Sequence, residues 1–540
     1  MTLLLWLLGV AALFAAASVL ALYSYGRFAR QARGEDSHML PLAAADTALD
    51  RLIAPLAAAH PGASGLAPSF DAREAFALRL ASVRAAGRSL DIASYIWRDD
   101  MTGRLLAREL MAAADRGVRV RMLLDDVNVQ GFDPKFRALN GHPGIEVRLF
   151  NPVRHRGHAL RRGLEMLLMA VRFNRRLHAK LWVADGRLAI TGGRNIGDEY
   201  FGAPTPRKRP VRDADILLAG PLAEAAGRQF DAYWNSDQAL PIAAFWRDYE
   251  AGLERFRARL AENAARPAAR AFLAAAEDTA LLPATMRWTT AARLVADPPG
   301  KALARDRDGW LPGALMPAIR GARRRVRLMT PYFVPGREGM AQLLPLAGRG
   351  VRVEVLTNAL SATNHILVHG AYRRYRRPLL AAGVGLYEFA PTDGPAVRGE
   401  MLHAKGFSVD GRLAFIGSFN FDLRSAFLNI ECGVLFEEPE TVAAVEAEFA
   451  RCAAPERAWR LVLDGRRVAW AAGPCPETAS PSPDTGTRPR AEATPPAMLP
   501  RTPPAARRAT PPPLLHEPGA NAFRRGASWL IGHLPIHTQL

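Results

Sequence analysis

Short alternating apolar runs and longer stretches of helical spacing take turns along most of this chain. Residues 89–126, SLDIASYIWRDDMTGRLLARELMAAADRGVRVRMLLDD, read as an apolar strand, a loop, a helical pattern, an RGVRV junction and a second apolar strand. Residues 325–358, RVRLMTPYFVPGREGMAQLLPLAGRGVRVEVLTN, repeat that order. Each predicts a βαβ unit. The later GIEVRLFNP at 144–152 answers to GVGLYEFAP at 383–391. An internal duplication of about 150–170 residues per copy accounts for the pattern. The expected fold class is α/β, with parallel or mixed sheets covered on both faces. Ahead of both copies, residues 1–26 carry no charged side chain, and a bilayer core needs about 20 apolar residues in a helix. They predict a transmembrane anchor, with Tyr23 and Tyr25 at an aromatic belt. Arg27, Arg30 and Arg33 follow, and no Lys or Arg precedes, which places the bulk of the chain in the cytoplasm. A cleaved secretory signal is the competing reading; the uncharged start and the length of the apolar run argue against it.

Residues 27–74, Ala/Pro/Gly-rich from 34 to 70, look like a tether. Residues 75–240 hold the first copy, 241–300 an Ala/Arg-rich helical connector, and 301–453 the second copy. Pro, Thr and Ala dominate 474–518, which builds no core and reads as a disordered spacer. Residues 519–540 combine Arg524 and Arg525 with Phe523, Trp529, Leu530, Ile531 and Leu534, the pattern of an amphipathic interfacial segment or of a helix docked on the domain. Of 540 residues 49% are hydrophobic and 23% charged, which excludes wholesale disorder and a polytopic membrane protein. Seventy-one basic against 52 acidic residues give a net charge of +19 and point to an anionic partner: phospholipid headgroups, nucleic acid or phosphate esters. Cys432, Cys452 and Cys475 form no disulfide framework and match no zinc spacing, so a reducing compartment and no structural metal are expected.

Each copy carries one signature, H-x-K-x4-D-x6-G-[GS]-x-N. In the first it is His178, Lys180, Asp185, Gly192, Gly193 and Asn195; in the second, His403, Lys405, Asp410, Gly417, Ser418 and Asn420. Alternation along LHAKLWVADG puts His178, Lys180 and Trp182 on one face of a strand, with His403, Lys405 and Phe407 equivalent. If the copies pack face to face, two imidazoles and two ammonium groups meet in one pocket. Two close lysines repel unless an anion lies between them, and a phosphate diester answers that need. Asn195, Ser418 and Asn420 add neutral donors for its oxygens. One neutral imidazole can attack phosphorus while the other, protonated, donates to the leaving oxygen. The lysines bring the positive charge a metal would otherwise supply, so neither metal nor cofactor is expected. Each histidine also needs an acidic orienter. Asp213 and Glu431, both starting strand-like runs, are the candidates, crossed so that Glu431 serves His178 and Asp213 serves His403; Asp215 is the alternative to Asp213.

This doubled signature resembles the HKD motif of the phospholipase D superfamily, over residues from about 75 to 453. Within it the chain is most similar to bacterial cardiolipin synthases of the class C type, through YIWRDDMTGRLL, RRLHAKLWVADG, GGRNIGDEYFG and IGSFNFDLRSAFLN. The resemblance implies two tandem phospholipase D-like αβα domains around one shared active site. It implies a ping-pong phosphatidyltransferase that holds a phosphatidyl group on histidine and passes it to phosphatidylglycerol. It assigns the nucleophile to His178, the acid/base role to His403, and motif membership to Asp185 and Asp410. Gly193 stands where the superfamily usually has Ser, which removes one hydroxyl donor. The implied partners are phosphatidylglycerol, with phosphatidylethanolamine the other donor, and an anionic membrane surface. No nucleic acid is expected, and the need for an accessory protein is open. The implied location is the bacterial inner membrane, single-pass.

Other residues have plainer readings. Asp185 and Asp410 precede glycine in D-G turns and are expected to support the fold rather than react. The basic runs at 154–163 and 373–377 read equally as solvated faces or as anionic-lipid contacts. His369 is by default a hydrogen-bonded core histidine. Tyr95, Trp97 and Tyr332 either line a lipid cleft or pack in the core. The alternative functions are a phospholipase D hydrolase or a phosphodiester nuclease of the same superfamily, and a membrane scaffold without catalysis. The anchor argues against the nuclease, and the intact His and Lys pairs against the scaffold.

Overall fold

The computed structural model describes residues 1–43, 45–131, 133–204, 208–246, 252–277, 285–390, 399–471 and 513–533. In chain order the strands of the first half are β1 (Ser64–Ser69), β2 (Ser89–Ser94), β3 (Arg119–Asp125), β4 (Ile145–Phe150), β5 (Leu181–Ala184), β6 (Leu188–Gly192), β7 (Val211–Arg212), β8 (Asp215–Ala219), β9 (Ala239–Pro241) and β10 (Arg287–Thr289). Those of the second half are β11 (Ala292–Ala296), β12 (Arg325–Met329), β13 (Arg352–Asn358), β14 (Gly385–Phe389), β15 (Met401–Leu402), β16 (Gly406–Val409), β17 (Leu413–Gly417), β18 (Cys432–Phe436), β19 (Ala458–Asp464) and β20 (Arg467–Ala471). Among the described residues they make two nine-stranded mixed sheets, β10-β1-β8-β6-β5-β2-β3-β4-β9 and β11-β18-β17-β16-β12-β13-β14-β19-β20. The run β8-β6-β5-β2-β3-β4-β9 matches β18-β17-β16-β12-β13-β14-β19 strand for strand. In both halves the βαβ strands pair in parallel (β2 with β3, β12 with β13), and the strand after H-x-K pairs antiparallel to the first of them. This is the α/β architecture the duplicated pattern predicts.

Alternation along β5 divides its side chains between two cores. Trp182 and Ala184 enter the first half's own core, whereas Leu181 and Val183 join Ala404, Ile416 and Val434 of the second half in a shared cluster that closes the seam. A period-2 pattern buried on both faces fixes the register, because a one-residue slip would exchange the two cores.

Three expectations about the boundaries change. The tether is built into the first half: helix Ala48–Ala59 is capped by Thr47 and Asp50, and β1 lies inside sheet one. Fully buried Asp50 takes ion pairs from Arg88 and from Arg187 at 2.8 Å. Ala-rich composition hid this, because small side chains give weak periodicity. The connector is helical at Leu253–Ala265 and Pro267–Glu277, but 287–296 forms edge strands, β10 on sheet one and β11 on sheet two. The second sheet also runs past 453 to take in β19 and β20. The Pro-rich stretch, Cys475 and Leu534 lie outside the described residues, apart from 513–518 of that stretch.

The N-terminal helix spans Thr2–Ala32; its mean hydropathy reaches 2.5 over a window that is 0% buried, so it is long and apolar enough to cross a membrane. It outlasts the apolar run, and its last turns dock on the first half. Tyr25, expected at a belt, is buried and donates its hydroxyl to the Pro152 carbonyl at 2.6 Å.

Candidate active site

Both H-x-K segments are held from the opposite half. The His178 N–H donates to the Ile430 carbonyl (2.9 Å), and the Ile430 N–H donates to Arg176 (2.8 Å). In mirror fashion, the His403 N–H donates to the Arg212 carbonyl (2.7 Å), where β15 pairs with β7. The residue after each accepting carbonyl is an acid. Glu431 follows Ile430, and Asp213 follows Arg212. Backbone pairing across the seam therefore delivers a carboxylate to each imidazole. His178 Nδ1 lies 2.8 Å from Glu431 Oε2, and His403 Nδ1 lies 2.6 Å from Asp213 Oδ2. A carboxylate only accepts, so Nδ1 carries the proton and Nε2 keeps its lone pair.

Burial sets the charge states. Desolvation pushes His178 down to about 4 and His403 down to about 3, so both rings are neutral at pH 7. Burial opposes the charge on Glu431, but His178, Lys180 and Ser418 prevail and hold it at about 2. His403 and Lys405 likewise hold Asp213 below the carboxylate range despite its burial. Desolvation lowers Lys180 to about 7 and Lys405 to about 8. Lys180 Nζ donates to the His178 carbonyl at 2.6 Å, and Lys405 Nζ donates to the His403 carbonyl and lies 3.0 Å from His403 Nδ1, whose proton goes to Asp213. Each imidazole also feels the other half's ammonium, Lys405 acting on His178 and Lys180 on His403. The four groups and the two carboxylates form one electrostatic unit. With both lysines charged, their two ammonium groups balance the two carboxylates, so a diester's own charge leaves the unit at −1 and favours a proton on an imidazole.

A cavity of about 810 Å³ opens on this unit. His403, Asn195, Asn420, Tyr200 and Tyr332 line it. His178 is not in its wall; Tyr95, edge-on to the His178 ring at 4.8 Å, is. Arg424 and Arg524 add positive charge to the wall.

A sequence model of the family described as "Cardiolipin synthase, PLD-like domain" matches residues 80–234 and 315–453. Cardiolipin synthase C of Escherichia coli (strain K12) is 38% identical over 77% of this chain and 91% of its own length. The chain belongs to the cardiolipin synthases of the phospholipase D-like family. Membership makes it an enzyme of the phosphatidyltransferase class. Cardiolipin synthase A of Pseudomonas entomophila (strain L48) is 29% identical over 68% of this chain and 63% of its own length. The crystal structure of phosphatidylserine synthase from Haemophilus influenzae Rd KW20 superposes with a TM-score of 0.50 at 14% identity, over 72% of this chain and 86% of that one, which shows a shared fold.

Within this phospholipase D-like site the sequence-derived residues take different places. The structure brings together His178, Lys180, His403, Lys405, Asp213 and Glu431. Asn195 donates its amide to the Tyr200 hydroxyl at 3.0 Å, and the Oδ1 atoms of Asn195 and Asn420 have no hydrogen-bond partner among the described residues. Ser418, expected to donate to phosphate, instead donates its hydroxyl to Glu431 and accepts from the Cys432 N–H. It is a positioning residue for the carboxylate. Asp185 and Asp410 stay away from the imidazoles. Asp185 accepts the backbone N–H groups of Gly87, Arg88 and Ser89, and Asp410 those of Arg323, Arg324 and Arg325, so each ties down the entry to its βαβ unit. Asp215 pairs with Arg79 at 2.9 Å and does not serve His403. A Cβ on Gly193 would fall 2.1 Å from Asp213 Oδ1, so the glycine is where the orienting acid needs room.

Tyr95 and Tyr332 line the cavity, while Trp97 is core, stacked on Trp182. His369 is buried between Ser528 and Arg376. Within the 373–377 run Arg376 fits neither reading, being buried against Glu388 (2.6 Å) and Glu517 (2.8 Å), while Arg377 is exposed. Sequence reasoning missed Tyr200, which stacks edge-on with His403 at 5.4 Å, and Arg524 as a wall residue. Tyr200 lies five residues past Asn195, a signal that was available; Arg524 arrives from the chain terminus and had none. Its helix, Ala522–His533, docks on helix Ile366–Ala381, where Ile531 packs on Gly370.

Proposed function

We propose that this enzyme makes cardiolipin by a two-step exchange through a phosphatidyl-histidine. His178 Nε2 attacks the phosphorus of a donor phospholipid, forming a P–N bond as the P–O bond to the headgroup breaks. His403, protonated in the bound state because the diester anion raises its proton affinity, gives that proton to the leaving oxygen. Neutral His403 then takes a proton from the hydroxyl of phosphatidylglycerol, whose oxygen displaces His178 from phosphorus. Lys180 and Lys405 balance the charge that gathers on the phosphoryl oxygens in both steps. The donor is phosphatidylglycerol or phosphatidylethanolamine, and the acceptor is phosphatidylglycerol. The catalytic halves lie on the cytoplasmic side of a bacterial inner membrane, with helix Thr2–Ala32 as the anchor.

The observation that carries this reading is the pair of crossed His–carboxylate hydrogen bonds across one seam, at 2.8 and 2.6 Å. They give each imidazole its own orienting acid from the opposite half, which supports an exchange with entering and leaving alcohols of the same type. The test is purified full-length protein with phosphatidylglycerol, with and without phosphatidylethanolamine, and products identified by mass. Cardiolipin is expected, an acid-labile phosphatidyl-enzyme is expected on rapid quenching, and His178→Ala is expected to abolish both while staying folded. Phosphatidic acid as sole product would refute transfer in favour of hydrolysis. Full activity of His178→Ala would refute the nucleophile.

A further inference from the structure

Helix Ala159–Leu168 and the short turn Ala170–Phe173 lie between the N-terminal helix and the H-x-K segment. Their inward faces are fully committed. Buried Glu165 accepts the backbone N–H groups of Arg154 (2.8 Å) and His155 (2.9 Å). Met169 and Phe173 pack with Tyr25 and Ala29, at the cytoplasmic end proposed for the anchor helix. The outward face is apolar: Leu160 is 91% exposed, Leu164 57%, Leu167 59% and Val171 81%. The three leucines fall at i, i+4 and i+7, one stripe on the helix, and Val171 follows on the turn beyond it. A soluble domain does not expose such a contiguous leucine stripe without a partner.

We propose that this stripe is a second membrane contact, an interfacial helix laid into the surface of the anionic phospholipid bilayer that helix Thr2–Ala32 crosses. Continuity argues for the bilayer over other occupants, because the helix that bears the stripe packs against the end of that apolar helix, and Met169 and Phe173 just beyond it join Tyr25 and Ala29 there. Charge agrees: Arg154 and Arg161 beside the stripe are exposed and suit anionic headgroups. The placement also matters for the site. Four residues past Phe173 the chain reaches Leu177 and then His178; Asn174 accepts from the cavity-wall residue Arg424 at 2.7 Å. An interfacial helix here holds one edge of the cavity mouth at headgroup depth, so a lipid phosphate can approach the histidines without its chains leaving the bilayer.

The surface is tested without reference to catalysis. Full-length protein carrying Cys475→Ser and Leu164→Cys is labelled with an environment-sensitive fluorophore, since Cys432 and Cys452 are buried. Glu254→Cys, at a side chain 83% exposed on another helix, is the control. Both are reconstituted into phosphatidylglycerol/phosphatidylethanolamine vesicles. An interfacial helix sits about 5–10 Å deep, so nitroxide lipids labelled near the headgroup should quench the Leu164 probe at least about twofold, chain-end nitroxides less, and the control not at all. An unquenched, water-exposed Leu164 probe overturns the proposal. So does self-quenching that grows with protein density and ignores nitroxide lipid, which would assign the stripe to a second copy of the chain. In a parallel arm, the triple variant Leu160→Ser, Leu164→Ser, Leu167→Ser keeps its Tm and loses at least about fivefold in turnover of bilayer phosphatidylglycerol, with turnover of micellar short-chain phosphatidylglycerol unchanged. Equal losses on both substrates overturn the placement at the mouth. An enzyme inactive on either lipid, with the probe quenched as expected, would sink the proposed chemistry and leave the membrane contact standing.

Discussion

Glu431→Gln isolates what the orienting carboxylate contributes. The side chain is buried and held by Ser418, by the Ser425 hydroxyl at 2.7 Å and by the His178 ring at 2.8 Å, so glutamine fits the same volume. The change removes a charge and leaves an amide that can still accept from Nδ1. As the P–N bond forms, positive charge grows on the His178 ring. A unit charge 2.8 Å away is worth about 6 kcal/mol at an effective dielectric of 20. Solvent and neighbouring lysines absorb most of that, and hydrogen bonds to charged groups contribute about 1.5–3 kcal/mol net. At about 1.36 kcal/mol per factor of ten, the rate of phosphatidyl-enzyme formation should fall about 10- to 150-fold. Rapid quenching with labelled phosphatidylglycerol measures that step directly. Asp213→Asn, acting through His403, should slow both formation and breakdown of the intermediate, whereas Glu431→Gln slows formation most. A loss under about threefold in Glu431→Gln would refute the idea that this carboxylate stabilises the charged ring.

Gly193→Ser puts a side chain on Asp213 and should lower turnover at least about tenfold, because the acid must leave His403; wild-type kcat would contradict the crowding at that carboxylate. Because burial lowers Lys180 to about 7 and Lys405 to about 8, both are charged below those values and lose charge as pH rises, so kcat/KM should fall through pH 7–8. A profile flat to pH 9.5 would show that neutral lysines suffice or that the pocket keeps them charged. Asp185→Ala removes the acceptor of three backbone N–H groups and should lower Tm by about 5–10 °C while the folded fraction keeps its kcat; lost turnover at unchanged Tm would instead make Asp185 a reacting group.

Much of this protein is legible in its sequence for a local reason. The βαβ units, the anchor helix and the doubled H-x-K signature are periodicities and spacings within a few dozen residues, and backbone geometry turns them into elements regardless of distant partners. The acids Asp213 and Glu431 were also readable, because each starts an apolar run a few dozen residues past its motif histidine, 35 and 28 residues on. What only the tertiary structure decided is contact across the seam. That Ser418 spends its hydroxyl on Glu431, that Gly193 yields space to Asp213, and that Arg524 joins a wall built far upstream all depend on which backbone lies opposite. The folding of residues 48–69 onto sheet one, and of β10 and β11 onto different sheets, belongs here too. Those segments are short or Ala-rich, and their burial comes from ion pairs and strand partners remote in sequence, whose energy no local pattern records.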